Sequence, residues 1–105
     1  MEVEYQYVDG DVRPHQLTYH FGANVKEAKR LLEYHKMTYL YSSCWRIRQD
    51  IAAWLYQNVG ISDEMWNSHG GSYEINRGDH FVVDIQLEIT FKEKKHAMMF
   101  KLKWS

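Results

Sequence analysis

One cysteine, one proline and no long apolar run set the first limits on this chain. With Cys44 alone, an intramolecular disulfide is excluded, and a reducing compartment is the easier home. No segment approaches the ~20 consecutive apolar residues of a membrane helix. The opening Met1-Glu2-Val3-Glu4 has neither the basic start nor the apolar stretch of a signal peptide. Neither sign of charge dominates: 13 Lys and Arg face 14 Asp and Glu, so no whole-molecule field draws in nucleic acid or an acidic membrane. No G-x-x-x-x-G-K-S/T or G-x-G-x-x-G phosphate loop occurs, and Gly70-Gly71 is too sparse to replace one. These absences lead to the expectation of a soluble, cytoplasmic protein without membrane contact, a single α+β domain spanning residues 1–105.

What the chain does have is alternation. Phe81, Val83, Ile85, Leu87, Ile89 and Phe91 share one parity, and His80, Asp84, Gln86, Glu88 and Thr90 the other, with Val82 the one lapse. A strand sends successive side chains to opposite faces, so this is a strand with one wet and one buried side. After Lys92-Glu93-Lys94-Lys95 the pattern restarts, with Met98, Phe100, Leu102 and Trp104 inward and Met99, Lys101 and Lys103 outward. The two runs read as a long antiparallel hairpin. Near the start, Val3, Tyr5 and Tyr7 alternate with Glu2, Glu4 and Gln6. Asp9-Gly10-Asp11 supplies a turn, and Leu17, Tyr19 and Phe21 alternate with Thr18 and His20. That predicts a first hairpin, with Pro14 before its second strand or at an edge, because proline cannot donate to a ladder.

The middle reads as helical. Asn24 stands as an N-cap, with Glu27 at capping-box spacing. Val25, Ala28, Leu31, Leu32, His35 and Tyr39 then make one stripe of a helix running to about Tyr41. Ser42 or Ser43 caps a second helix whose face carries Cys44, Ile47, Ile51, Trp54, Leu55 and Val59, with Gly60 at its end. Ser62–Trp66 looks like one further turn of helix. Residues 67–79 are polar and glycine-punctuated, with a short strand at Tyr73-Glu74-Ile75. The fold expected is an antiparallel sheet of two hairpins, four to five strands in all, with two α-helices packed on one face in the order ββαα(β)ββ. Outward Glu2 and Glu4 complement Lys101 and Lys103, which makes the first and last strands expected neighbours.

Chemistry-bearing constellations are weak. Six histidines invite a metal reading, but no H-x-x-x-H or C-x-x-C pattern joins two ligands, and four residues of strand set His80 ~13 Å from Asp84. Solvated surface histidines are the expectation, with no metal and no cofactor. Cys44 on an apolar helix face is an inert thiol. Asp79-His80 beside His69 makes a general acid–base pair only if the intervening loop folds back. Lys92, Lys94, Lys95, Lys101 and Lys103 make the closing hairpin basic, and Arg46 and Arg48 flank Ile47; charged turns mostly serve solubility. Ile51–Trp66 has a helix-turn-helix cadence, but Asp63 and Glu64 would meet phosphate with the wrong sign. Arg77-Gly78-Asp79 spells the integrin tripeptide, which reads as chance here.

The surplus of outward aromatics is the more promising feature. Arg30, Tyr34, Met37 and Tyr41 on the first helix, and Trp45 and Tyr56 on the second, are of the types enriched at interface cores. Packing of the two helices on each other would use the same stripes. The leading expectation is a non-enzymatic protein-binding module, an adaptor or inhibitor of a larger partner, with a homodimer through the same face as a variant. Accessory or viral inhibitors of host machinery are often of this size, an analogy of class alone. The second reading is a small-ligand or nucleotide site, with hydrolysis as a variant, on the 66–80 loop, gathering Trp66, His69, Tyr73, Arg77, Asp79 and His80. The third is nucleic-acid binding by the basic closing hairpin.

Overall fold

The computed structural model describes residues 1–35, 45–76 and 78–105. Among these residues the chain is α+β, with a four-stranded antiparallel sheet, a two-stranded sheet and three helices. In chain order the elements are β1 (Glu2–Tyr7), β2 (His15–His20), α1 (Val25–Ala28), β3 (Leu32–Tyr34), β4 (Trp45–Ile47), α2 (Gln49–Asn58), β5 (Trp66–Asn76), β6 (Phe81–Phe91) and α3 (Lys94–Trp104). The main sheet runs β1-β2-β6-β5 and the smaller one is β3-β4. Among the described residues no helix is long and apolar enough to cross a membrane.

Alternation decides the faces of the main sheet. Leu17 stands opposite Ile89 and Tyr19 opposite Leu87, and all four are fully buried. Ile85 and Phe91 extend that inner row along β6. The other parity carries Glu4, Thr18, Glu88 and His69 across all four strands in register. The β1–β2 turn closes with Val8 N–H donating to Pro14 O at 2.8 Å, and Gly10 takes the positive φ of 82° that this turn requires. Pro14 precedes β2, where its missing donor costs nothing.

Three expectations are corrected. The closing segment is helix α3 and not a strand. Lys, Ala, Met and Leu are good helix formers. Its buried residues, His96, Ala97 and Phe100, follow helical spacing, not alternation. Two residues of helix turn the chain by about 200°, so Leu102 points away from Phe100 and is 87% exposed. Phe100 packs on Tyr19, Phe91, Trp54 and Trp104, with ring centroids 5.8–6.3 Å apart. Among the described residues β1 pairs with β2, and Lys101 and Lys103 stand on α3 rather than on a neighbouring strand.

The long first helix is the second correction. Asn24 does cap α1, its Oδ1 accepting from Glu27 N–H at 3.0 Å, but the helix stops at Ala28. Consecutive Leu31 and Leu32 are both buried, and the chain turns into β3. There Leu32 faces Ile47 and Tyr34 faces Trp45. The second helix accordingly starts at Gln49 rather than Cys44, because 45–47 are spent as β4. Its first N–H is capped from outside: Gln49 N–H donates to Glu33 Oε1 at 3.0 Å. A carboxylate there satisfies an orphan donor and complements the helix dipole. Met37, Tyr39, Tyr41, Ser42, Ser43 and Cys44 lie outside the described residues.

The third correction concerns 67–76, which is strand throughout rather than at 73–75 alone. β5 pairs with β6 over eleven residues, from Trp66 opposite Phe91 to Asn76 opposite Phe81. Glycine is needed at position 70, where a Cβ would stand 2.7 Å from Trp45 O, so β4 lies directly on β5 there. The segment 62–65 is a turn, with Asp63 at a φ of 71°, and the helix-turn-helix cadence does not materialise.

Phe100→Ala is expected to cost about 3–5 kcal/mol in urea unfolding and Leu102→Ala less than about 0.5. Equal losses would contradict the helical assignment. Tyr19 carries a second prediction. Its hydroxyl is enclosed, and burial pushes its pKa up to about 12, Ser105 offsetting the shift only in part. A raised folded value means stability is intact below the ordinary 10.0 and falls as pH rises toward 12. In Tyr19→Phe, alkaline melts should lose that fall.

Candidate functional site

The sheet brings together one polar cluster on its wet face. His20 ends β2 opposite Gln86, and Asp84 stands two residues along β6, within diagonal reach. His20 Nδ1 donates to Asp84 Oδ2 at 2.8 Å. Gly22 N–H donates to Oδ1 and Gln86 Nε2 to Oδ2, each at 2.8 Å. His20 Nε2 lies 3.5 Å from Glu4 Oε2, within ion-pair reach but without hydrogen-bond geometry. The cluster itself lines an open groove of about 410 Å³, together with Glu2, Glu4, Val82 and Val83.

Electrostatics follow from these partners. Burial opposes charge on His20, but the hydrogen bond and charge of Asp84, then Glu4, outweigh it and hold the imidazole above its ordinary 6.5. Burial likewise opposes charge on Asp84, and its bonds from His20, Gln86 and Gly22 outweigh that and hold the carboxyl below its ordinary 3.8. A charged pair at 2.8 Å therefore ties the end of β2 to β6. An oriented His–Asp pair is also the geometry of a general base. Here Nε2, the nitrogen that would meet a substrate, is sealed from solvent. The pair therefore acts as a staple between strands.

The residues singled out from the sequence scatter. Asp79 and His80 sit in the exposed β5–β6 turn, 3.2 Å apart. His69 lies opposite Glu88, more than about 20 Å back along the ribbon. The acid–base grouping of His69 with Asp79 and His80 therefore fails. Trp66 is buried on the inner face, its Nε1 donating to Gly60 O at 2.8 Å, while Tyr73 is exposed on the wet face. Ladder pairing to β6 thus spreads Trp66, His69 and Tyr73 along β5, with Trp66 on the opposite face from His69 and Tyr73. Arg77 lies outside the described residues. The C-terminal lysines sit on and before α3, not on a hairpin. Among the described residues, no three His, Cys, Asp or Glu side chains converge as metal ligands.

Of the aromatic set, Arg30 sits in the turn after α1, bonded through Nη1 to Glu27 at 3.2 Å. Tyr34 lies on strand β3, not on a helix, and is 59% exposed. Its ring meets buried Trp45 edge-on at 5.1 Å. Tyr56 on α2 is 55% exposed and meets buried Trp66 edge-on at 5.3 Å. Met37 and Tyr41 lie outside the described residues. The His20–Asp84 pairing escaped sequence reasoning, although both residues share the wet parity; only the register of β2 on β6 joins them.

Comparison with known protein families, with curated proteins and with solved structures finds no match.

His20→Gln should lower the melting temperature most between about pH 4 and 6.5, where both partners are charged. The gap should narrow as pH rises through the elevated His20 value, and again as pH falls through the depressed Asp84 value. A gap constant across pH 3–9 would show that the pair contributes only packing.

Proposed function

We propose that this chain is a non-enzymatic protein-binding module, an adaptor or inhibitor that works by occupying a surface of a larger partner. The observation that supports it is the pair of exposed tyrosines, Tyr34 and Tyr56, each held edge-on by a buried tryptophan. An exposed aromatic already fixed by its neighbour loses little freedom on binding, which is what a strong interface anchor requires. Both lie on the β5 side of the molecule: Trp66 begins β5, and Trp45 O approaches Gly70 of the same strand. The sealed His20–Asp84 pair favours this reading over catalysis.

The test is capture from native lysate by wild type and by Tyr34→Ala and Tyr56→Ala, alongside unfolding of each variant. Each substitution is expected to cost no more than about 1.5 kcal/mol, the worth of one edge-on aromatic pair. Each should also remove a stoichiometric partner that wild type retains. Identical captures by folded variants would overturn the assignment of this face.

A further inference from the structure

β1 is an open edge with a definite hydrogen-bonding phase. Val8 N–H bonds Pro14 O, so positions summing to 22 with even numbers are the hydrogen-bonded pairs of β1 with β2. Phe21 N–H to Ile85 O sets the same phase from the other side, turning the odd residues of β2 toward β6. The N–H and C=O groups of Val3, Tyr5 and Tyr7 therefore point away from the sheet. Among the described residues no backbone group meets them. Their side chains lie on the inner face, beyond the reach of full cover by α3, with Tyr5 36% and Tyr7 56% exposed.

We propose that this edge is the dimer contact of the protein, β1 pairing antiparallel with β1 of a second copy about a two-fold axis through Tyr5. Such pairing satisfies the free groups of all three odd residues. Tyr5 exchanges both bonds with the partner's Tyr5, and Val3 with the partner's Tyr7. It joins two four-stranded sheets into one, with the helices of both copies on the same side. On the inner face Tyr5 meets the partner's Tyr5 and Val3 the partner's Tyr7, which are favourable aromatic and aromatic–β-branched pairs.

Charge selects both the occupant and the register. Outward Glu2 and Glu4 repel most strands that approach this edge. Centred on Tyr5, the pairing sets Glu4 against the partner's Gln6 and Glu2 against the partner's Val8, so no carboxylate faces another. Centred on Val3, it would set Glu2 against the partner's Glu4. Centred on Tyr7, it would run Tyr5 against the partner's Asp9, in the turn that ends β1. Centred on Glu4, it would set Glu4 against the partner's Glu4; centred on Gln6, it would run Val3 against the partner's Asp9 in that same turn. The register centred on Tyr5 is the one that pairs Val3, Tyr5 and Tyr7 within β1 and opposes no two carboxylates. The tyrosines proposed for partner binding lie at the opposite, β5 edge, so this contact leaves them uncovered and stands independently of that reading.

Sedimentation of wild type from micromolar to millimolar concentration, with hydrogen exchange read at single amides, tests it. Wild type should dimerise with concentration, and the amides of Val3, Tyr5 and Tyr7 should slow as it does. Gln6→Lys, which meets the partner's Glu4 twice per dimer, should tighten association and Gln6→Glu weaken it. The two variants should differ roughly tenfold or more in Kd. Both substitutions sit on the exposed face and leave the monomer folded, which the exchange of β2 and β6 amides monitors. A protein that stays monomeric at millimolar concentration overturns the proposal. So does a dimer in which those three amides exchange freely or to which the charge at position 6 makes no difference.

Discussion

Pairing of β2 with β6 is the constraint on which the rest of the structure depends. It joins residues 15–20 to residues 86–91 and sets Leu17, Tyr19, Leu87 and Ile89 side by side as the floor of the core. Phe100 of α3 rests on Tyr19 and Phe91, Trp54 of α2 rests on Phe100, and α1 lies against β6. A one-residue slip of this ladder would turn Leu17 and Tyr19 to the wet face and send His20 inward, away from Asp84. Register, core and polar staple are thus one choice made by a single pair of strands.

The alternating segments were readable because parity is a property of the chain itself. β1, β2 and β6 appear where Val3, Leu17 and Ile89 and their same-parity neighbours place them, and Asn24 caps a helix as its side chain predicts. The failures share a cause as well. In Met98-Met99-Phe100-Lys101-Leu102, apolar residues two apart fit a strand, while those three and four apart fit a helix. Only the burial of His96, Ala97 and Phe100 together decides between them. Around Leu31 and Leu32, helical spacing was real but yielded to pairing with β4, which neither segment's own pattern announces. β5 hid behind Gly70 and Gly71, residues that weaken a strand in isolation and that here admit β4 and the ring of Tyr73.

The candidate sites divide in the same way. Exposure of Tyr56 was readable from its position off the main apolar stripe of its helix, whereas Tyr34 is exposed on a strand that the helical reading did not contain. The tryptophans that fix them were not readable, since each contact crosses between elements. Trp45, grouped with them from sequence, instead belongs to the core beneath, and Glu33, an ordinary surface carboxylate in sequence, caps α2 from a neighbouring strand. The division of labour is physical. Buried indoles hold the exposed phenol rings edge-on, and the charged pair on the far face of the sheet ties β2 to β6.

The distance in sequence between β2 and β6 also governs how the protein comes into being. The hairpin of β1 and β2 is made before the surface that must cover Leu17 and Tyr19, which includes β6 and Phe100, more than sixty residues further along the chain. A two-stranded hairpin is marginal on its own. Throughout synthesis of the middle of the chain, then, an apolar strand and its unpaired edge wait for their partner. Sheets closed by such distant pairings fold slowly and pass through states with exposed strand edges. Glu2 and Glu4, standing on the open edge of that hairpin, are placed to turn away unrelated strands during that wait.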